Sequence, residues 1–407
     1  MSFDYGTEVG DVTQEYREWP VEGQLTALID ADIIPYNIGF TIKEEQYVSG
    51  LAKAMTITKE DRYEPEELKD GIDDLYYKAL LTTSEFQEIT KRVISMVNSW
   101  IQSSDADSAK FYISGKNNFR DDVAFTTRYK GNRFDKDGNP KPKPPFFYEI
   151  KRWLTERYPP IIIDGIEADD ALSMEQYSRL LKYDDNGNDV VSDMSGTIII
   201  TIDKDLCMVP GWHYNPRTRN KHFVLTLGEL FPKWSDKRVP AYSKFPLVNG
   251  EPIPPDIVIE HKMEPDIYIR GKNKGKIKTK RVQVGMELSK ALDKCTGTGL
   301  KFFYYQIIVG DTADNYGGLK GVGKTKAFEI IQSCLDEKEL YFAVLAQYKL
   351  VYGEGKHIAA NWRGGATLMT AYQRMLEQGR LAWMLSKPGE VWRGQHNCPL
   401  GTDKIWD

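Results

Sequence analysis

Residues Thr197 to Ile202 read TIIITI, β-branched throughout, and end at Asp203. Such a run lacks the alternation of a half-exposed strand, so it predicts a strand covered on both faces, as in a parallel sheet between helices. Leu25 to Ile29 is a second short apolar run, closing in Asp30-Ala31-Asp32. Lys110 to Ser114, before Gly115, and Ile161 to Ile163, after Pro159-Pro160, read as further strands. Between them, Phe86, Ile89, Val93, Val97 and Ile101 recur at helical spacing, which predicts a helix over 84–101 with Ser84 as its N-cap. Another helix is expected over 146–157, and a third from Glu167 to about Leu181, followed by a turn at Asn186-Gly187. This alternation predicts an α/β fold, a mostly parallel central sheet with helices on both faces.

The expected organisation is a polar extension over 1–24, an α/β core over 25–210 and a basic insertion over 211–300. A helical region over 301–390 and a tail over 391–407 complete it. Within the core, 131–145 (GNRFDKDGNPKPKPP) is rich in Gly, Pro and Lys and is expected to be a mobile basic loop. No stretch approaches the roughly 18 apolar residues of a membrane span, and the polar first twenty residues lack the pattern of a secretory signal. Four scattered cysteines without a C-x-x-C pair give neither zinc spacing nor a disulfide framework, so a reduced, cytoplasmic chain is expected.

The net charge is −5, yet charge is segregated. Arg270 to Arg281 holds seven basic residues and no acid, and Arg128 to Arg152 holds eight basic residues against three acids. Strips of this kind can follow a phosphate backbone, although a charge run is also ordinary for a solvated loop.

Acids stand where elements end or begin. Asp30 and Asp32 are two apart on an extended backbone, as are Asp203 and Asp205, with Lys204 expected to point the other way. Glu167 and Asp170 open a helix, with Asp169 between them, and Asp311 and Asp314 follow an apolar run. One such Asp is ordinarily a turn former or a cap. Four such motifs converge on the C-terminal edge of a parallel sheet, where sites form. Carboxylates brought together repel unless a cation neutralises them, and oxygen donors without His or Cys suit Mg²⁺ or Mn²⁺. Two such ions about 4 Å apart can activate water and stabilise the leaving oxygen of a phosphodiester.

In order along the chain come Leu28-Ile-Asp-Ala-Asp32, Asn118-Phe-Arg120, Tyr129-Lys-Gly-Asn-Arg133, Gly165-Ile-Glu-Ala-Asp-Asp170, Thr201-Ile-Asp-Lys-Asp205, and GDTADN followed by GLKGVGKTKA over 310–327. This ordered set resembles the 5′-nuclease family: flap endonucleases, phage 5′→3′ exonucleases and the 5′-nuclease domain of bacterial DNA polymerase I. Length and basic insertion are most similar to the phage exonucleases. The resemblance implies a PIN-like core followed by a helix–turn–helix region that binds duplex DNA. It implies metal-site roles for Asp30, Glu167, Asp169, Asp170, Asp203, Asp205, Asp311 and Asp314. Lys130 and Arg133 would grip the scissile phosphate with help from Arg120, and Tyr129 would stack on a terminal base, although for a lone tyrosine a packing role in core or surface has equal weight. The implied partners are DNA with 5′ ends, flaps or nicks, and RNA–DNA hybrids, served by a monomer in the (host) cytoplasm during phage-type replication or recombination. In one place the pattern breaks: the family has an Asp at the end of the second strand, where this chain has Ser114-Gly115.

Gly318 to Thr325 (GLKGVGKT) also fits the nucleotide-binding pattern G-x-x-x-x-G-K-[ST]. That reading requires a buried strand directly before the loop, whereas GDTADNYG intervenes here. In the resemblance, Gly318, Gly321 and Gly323 instead let backbone N–H groups approach a duplex phosphate, with Lys320, Lys324 and Lys326 adding charge and K⁺ bound at the loop. The expectation is therefore a Mg²⁺-dependent 5′-nuclease. The alternative is a structure-specific DNA-binding protein with a weakened site, which Ser114 alone supports.

Overall fold

The computed structural model describes residues 25–60, 72–183, 189–191, 196–240, 257–267 and 275–394. The expected extension over 1–24, the turn at 186–187, residues 270–274 of the basic run and 395–407 of the tail lie outside them. Elements run β1 (Thr26–Asp30), α1 (Ile33–Gly39), α2 (Glu44–Glu60), α3 (Asp74–Thr82), α4 (Ser84–Ser103), β2 (Ser108–Ser114), α5 (Phe119–Val123), α6 (Phe147–Arg157), β3 (Ile161–Ile163) and α7 (Ala168–Leu180). A small hairpin of β4 (Leu181–Tyr183) and β5 (Asp189–Val191) precedes β6 (Thr197–Ile200), β7 (Gly211–Asn215) and β8 (Asn220–Val224).

Six strands make one sheet in the order β3-β2-β1-β6-β7-β8. All neighbouring pairs are parallel except β7–β8, a hairpin at one edge. The fold is α/β with a mostly parallel sheet. β1 sits near the middle, and Ala27, Leu28 and Ile29 are wholly buried, as are Ile198 to Ile200 of β6. Burying each such branched side chain contributes roughly 1.5–3 kcal/mol. On α4 the residues Phe86, Ile89, Val93, Val97 and Trp100 turn inward and pack with Ile150 and Leu154 of α6 in the same apolar cluster.

Three boundaries differ from the sequence reading, each for a local reason. The N-cap of α4 is Thr83, not Ser84: Thr83 is extended and its hydroxyl accepts the Phe86 N–H at 3.3 Å. β6 stops at Ile200 because the next side chain, Thr201, turns to Asp30 and to the Asp203 N–H. Residues Gly211–Asn215 and Asn220–Val224, within the expected insertion, form two strands of the central sheet. Chain contacts separate a compact unit over Phe231–Cys295 from a larger one formed by 1–230 and 296–407.

The smaller unit is a three-stranded sheet of β9 (Leu230–Pro240), β10 (Ile257–Ile267) and β11 (Ile277–Gly297), with β11 central. β10 and β11 are antiparallel from Ile257–Glu287 to Ile267–Ile277.

In the larger unit the chain continues as α8 (Gly299–Val309), α9 (Lys324–Gln332), α10 (Glu337–Tyr352), the hairpin β12 (His357–Ala360) and β13 (Ala366–Met369), and α11 (Ala371–Ala382). The apolar run before GDTADN is thus the helix α8, buried on all sides through Phe302, Phe303, Tyr304, Tyr305, Ile307 and Ile308. No helix among the described residues is long and apolar enough to cross a membrane.

Candidate active site

Parallel pairing brings the C-terminal ends of β1, β2, β3 and β6 to one edge of the sheet. Asp30 ends β1, 3% exposed, and accepts from the Thr201 hydroxyl at 3.1 Å and the Asp32 N–H at 3.2 Å. Burial, together with the charges of Asp32 and Asp203, pushes its carboxyl up to about 8. Asp169, in the first turn of α7, is raised well above the usual carboxylate range by burial and by Asp30, Asp203 and Glu167. Asp205 is pushed up to about 7 by burial and by Asp203. Its Oδ1 accepts from Gln306 Nε2 at 2.5 Å, and its N–H donates to Asp203 Oδ1 at 2.9 Å. Three of the four acidic motifs therefore crowd one another at the sheet edge.

The fourth motif enters from the loop after α8 and is fastened to the basic turn 129–133. Lys130 N–H donates to Asp314 O at 2.8 Å, Asn315 Nδ2 to Arg128 O at 2.8 Å, and Asn132 Nδ2 to Thr312 O at 2.6 Å. Gly131 is needed there, since a Cβ would lie 2.9 Å from Asn315 Nδ2. The Lys130 ammonium pairs with Glu167 and lies 3.8 Å from Asp314. Burial would raise Glu167, but Lys130 and Arg120 bring its carboxyl down to about 2. Arg133 keeps about half of its side chain exposed, 3.7 Å from Asp314. The edge is thus divided: uncompensated carboxylates at Asp30, Asp169 and Asp203, and cations seated on the carboxylates beside them.

Several residues expected at the reacting centre sit elsewhere. Arg120 is 1% exposed and saturated: it holds Asp170 by two bonds of 2.6 and 2.8 Å, Leu381 O at 3.1 Å and Trp383 O at 2.6 Å. Its guanidinium braces Asp170 against the 381–383 segment. Asp170 is wholly buried and also accepts the Leu385 and Glu167 N–H groups, which leaves no oxygen turned toward the other carboxylates. Tyr129 is buried at 4% exposure, with its hydroxyl 2.9 Å from Glu167 Oε2 and 3.1 Å from Asp314 Oδ2. Its ring is not offered to a base; it ties two carboxylates together.

Other residues were overlooked or misplaced. Lys204 does not point away: its ammonium pairs with Asp311 and lies 3.2 Å from Asp205. A lysine in a strand-end turn is not bound by strand alternation, which is why spacing misled. Thr201 could have been found, being two residues before Asp203 and the first residue after β6. Gln306 could have been found as the one polar side chain in the apolar helix FFYYQII. Asp32, noted for its spacing but left out of the ligand set, turns its Oδ2 to the Ser114 N–H at 2.9 Å.

As donors, these groups are carboxylate oxygens and a threonine hydroxyl, which suit a hard divalent cation. The raised Asp30, Asp169 and Asp205 are what such crowding produces without one. Among the described residues no three acids, histidines or cysteines are yet drawn tightly enough to hold an ion. The donor chemistry fits, and the arrangement is open.

The glycine loop joins α8 to α9, so a helix and not a strand precedes it; this removes the nucleotide-binding reading. Gly318, at φ +60°, packs so closely on α8 that a Cβ would meet the Ile308 O and Gly310 N at 2.4 Å, and its N–H donates to Gln378 Oε1 at 2.9 Å. Gly321 and Gly323 face open space, and Lys320, Lys324 and Lys326 are exposed. Within the basic segment 131–145, Asp135 Oδ1 closes a turn by accepting the Asp137 and Asn139 N–H groups at 2.9 and 2.8 Å.

No protein-family model matches the chain, and no curated protein matches it. Among solved structures it is similar to a complex of the bacteriophage T5 flap endonuclease with DNA and metal ions, at 12% identity and a TM-score of 0.37, over 88% of this chain and 98% of that one. A T5 protein co-crystallised with metal ions gives 13% and 0.32, over 80% and 88%. The T5 5′-exonuclease with bound zinc gives 14% and 0.33, over 81% and 90%. Scores this low concern the overall course of the chain and carry nothing about activity.

Proposed function

We propose that this chain is a divalent-metal-dependent nuclease acting at 5′ ends of DNA or of RNA primers, as a 5′→3′ exonuclease or a flap endonuclease. The observation that carries the reading is the fastening of the basic turn 129–133 to the 311–315 loop over Glu167, beside the uncompensated carboxylates Asp30, Asp169 and Asp203. A phosphodiester placed there meets a cation on one side and carboxylates on the other. Asp30, Asp169, Asp203 and Asp205 would hold Mg²⁺ or Mn²⁺, with Asp311 and Asp314 nearby, and K⁺ would sit at the glycine loop. The divalent ion, when bound, supplies Lewis-acid stabilisation and an activated water. Arg133, exposed, and Lys130, drawn off Glu167, place positive charge where charge grows on the phosphate. Thr201 and Gln306 fix the orientation of Asp30 and Asp205, and the glycine loop with Lys320, Lys324 and Lys326 holds the duplex.

Purified protein with Mg²⁺ on end-labelled flap, nicked, blunt and RNA-primed duplexes tests the reading. Mononucleotide ladders mean exonuclease, and single oligonucleotides mean flap cleavage. Asp203→Asn is expected to abolish cleavage and keep DNA binding. Undiminished cleavage by that variant overturns the carboxylate assignment. The second reading, a structure-specific DNA-binding protein, is favoured by Ser114 at the end of β2, and it predicts a shifted but unshortened substrate.

A further inference from the structure

The helix α11 holds a carboxylate that lies outside the acidic edge. Glu377 is wholly buried, between Leu376 and Gln378, which are buried too. A charge in such a place persists only when paired and hydrogen-bonded. Its Oε1 accepts the Phe125 N–H at 3.0 Å, the Thr126 N–H at 2.7 Å and the Thr126 hydroxyl at 2.9 Å. Its Oε2 pairs with Arg374, one turn earlier, at 3.1 Å. Glu377 therefore grips the chain just where it enters the basic turn 129–133.

The next residue turns to a different target. Gln378 is 2% exposed, and its Oε1 accepts the Gly318 N–H at 2.9 Å. Gly318 opens the glycine loop and has no slack, since a Cβ there would strike Ile308 O and Gly310 N. At the C-terminal end of the same helix, Leu381 O, and Trp383 O just beyond it, accept from Arg120, which holds Asp170. Carbonyls at a helix end lack partners within the helix, and a cation suits them. One helix thus holds the root of the basic turn, the root of the glycine loop and the buried anchor of α7.

These bonds close a ring. The basic turn and the 311–315 loop are fastened to each other through the Lys130 N–H, Asn132 and Asn315, and that loop runs on into Gly318. Neither partner can shift against the other without breaking a buried bond, and an unmet buried donor is costly.

We propose that Glu377 and Gln378 are positioning residues: they fix the separation between the basic turn and the glycine loop, and that separation selects which phosphate is cut. The proposal rests on the nuclease reading, in which the loop holds the duplex and the turn holds the scissile phosphate. Two grips a fixed distance apart on one substrate define a register. Both side chains are buried and act through geometry alone, where a displacement of about 1 Å can cost about 10²-fold in rate.

The test uses the full chain and end-labelled flapped and nicked duplexes. Single-turnover cleavage is followed in Mg²⁺ with products resolved to one nucleotide, and affinity for the same DNA is measured in EDTA. Gln378→Met keeps the volume of the side chain and loses the acceptor. It is expected to hold DNA affinity within about twofold of wild type and to raise cutting at neighbouring phosphates about tenfold. Glu377→Ala is expected to slow cleavage about 10²-fold at saturating protein. Glu377→Gln, which keeps an oxygen for the Phe125 and Thr126 N–H groups, should recover most of that rate. Glu377→Asp, shorter but still charged against Arg374, replaces Glu377→Ala where the latter does not fold. A wild-type cutting pattern in Gln378→Met, or a Glu377→Ala rate that returns to wild type at saturating protein, overturns the positioning role. Wild-type protein that leaves every substrate uncut in Mg²⁺ overturns the nuclease reading itself, and this proposal with it.

Discussion

Asp32 Oδ2 accepts the backbone N–H of Ser114 at 2.9 Å, so a carboxylate from the first strand's end is held against the place where the second strand's acid is missing. The Ser114 hydroxyl accepts the Ala168 N–H at 3.0 Å and so caps the start of α7. Asp32→Asn is therefore expected to lower Mn²⁺ affinity by about 10- to 100-fold, the range for residues that orient or complete a metal site. Ser114→Ala should leave Mn²⁺ affinity alone and cost about 1 kcal/mol of stability, as loss of a helix cap does. Calorimetric titration with Mn²⁺ separates them; wild-type affinity in Asp32→Asn rules the compensation out.

Arg133 offers the clearest test of the role proposed for the basic turn 129–133. It is half exposed and its one acidic neighbour, Asp314, is 3.7 Å away, so little structure depends on it. Arg133→Ala is expected to slow cleavage about 10²- to 10³-fold, the cost of removing one charge-stabilising donor. Its melting transition should move by no more than about 0.5 kcal/mol, as at other surface sites. Single-turnover rates together with a urea titration check both halves, and an unchanged rate removes Arg133 from the mechanism.

How much of this was written in the sequence depends on the range of the interaction. The sheet was legible because Ile198 to Ile200 and Ala27 to Ile29 are apolar runs whose burial follows from composition alone. The place of Asp30 followed, since a residue that ends a parallel strand has one edge to go to, and Asp203 and Asp205 lie in the turn just beyond β6. The surroundings of Arg120 are not legible, because its partners Leu381 and Trp383 lie about 260 residues downstream and nothing local points to them. Tyr129 stays open between stacking and packing in the sequence for the same reason: its motif identifies an aromatic, but only the approach of Asp314 turns the hydroxyl inward. Residues 211–224 differ in composition from what precedes them, and nothing local in GWHYN or NKHFV says that they join the central sheet.

The Arg120–Asp170 pair separates structural from metal-holding carboxylates. Both side chains are almost wholly buried and joined by two short bonds. Removing one charge strands the other in a low-dielectric interior, which typically costs 3–5 kcal/mol. Asp170→Asn should thus lower the denaturation midpoint markedly. Asp203→Asn, which relieves repulsion on Asp30 and Asp205, should leave stability unchanged or raise it while losing Mn²⁺ binding. If Asp170→Asn instead keeps full stability and loses only metal affinity, Asp170 belongs with the ligands.

His213 and His222 face each other across β7 and β8, their rings 5.6 Å apart and nearly parallel. Burial, and for His213 also the neighbouring His222, lowers their pKa values to about 3 and about 4. In the unfolded chain both titrate near 6.5. Between pH 6.5 and 4 the unfolded state therefore binds protons that the folded state refuses, and stability falls as pH falls, by a few kcal/mol in order of magnitude. The raised carboxyls of Asp30 and Asp205 act in the opposite sense over the same window, because there the folded state binds the extra protons. A wild-type curve mixes the two effects, whereas its difference from the His213→Phe/His222→Phe double variant isolates the histidines. Urea titrations from pH 7.5 down to 4.5 should show the variant gaining stability relative to wild type at each step below 6.5. A difference that stays constant across that range means the pair is protonated in the fold, and that the β7–β8 edge admits water.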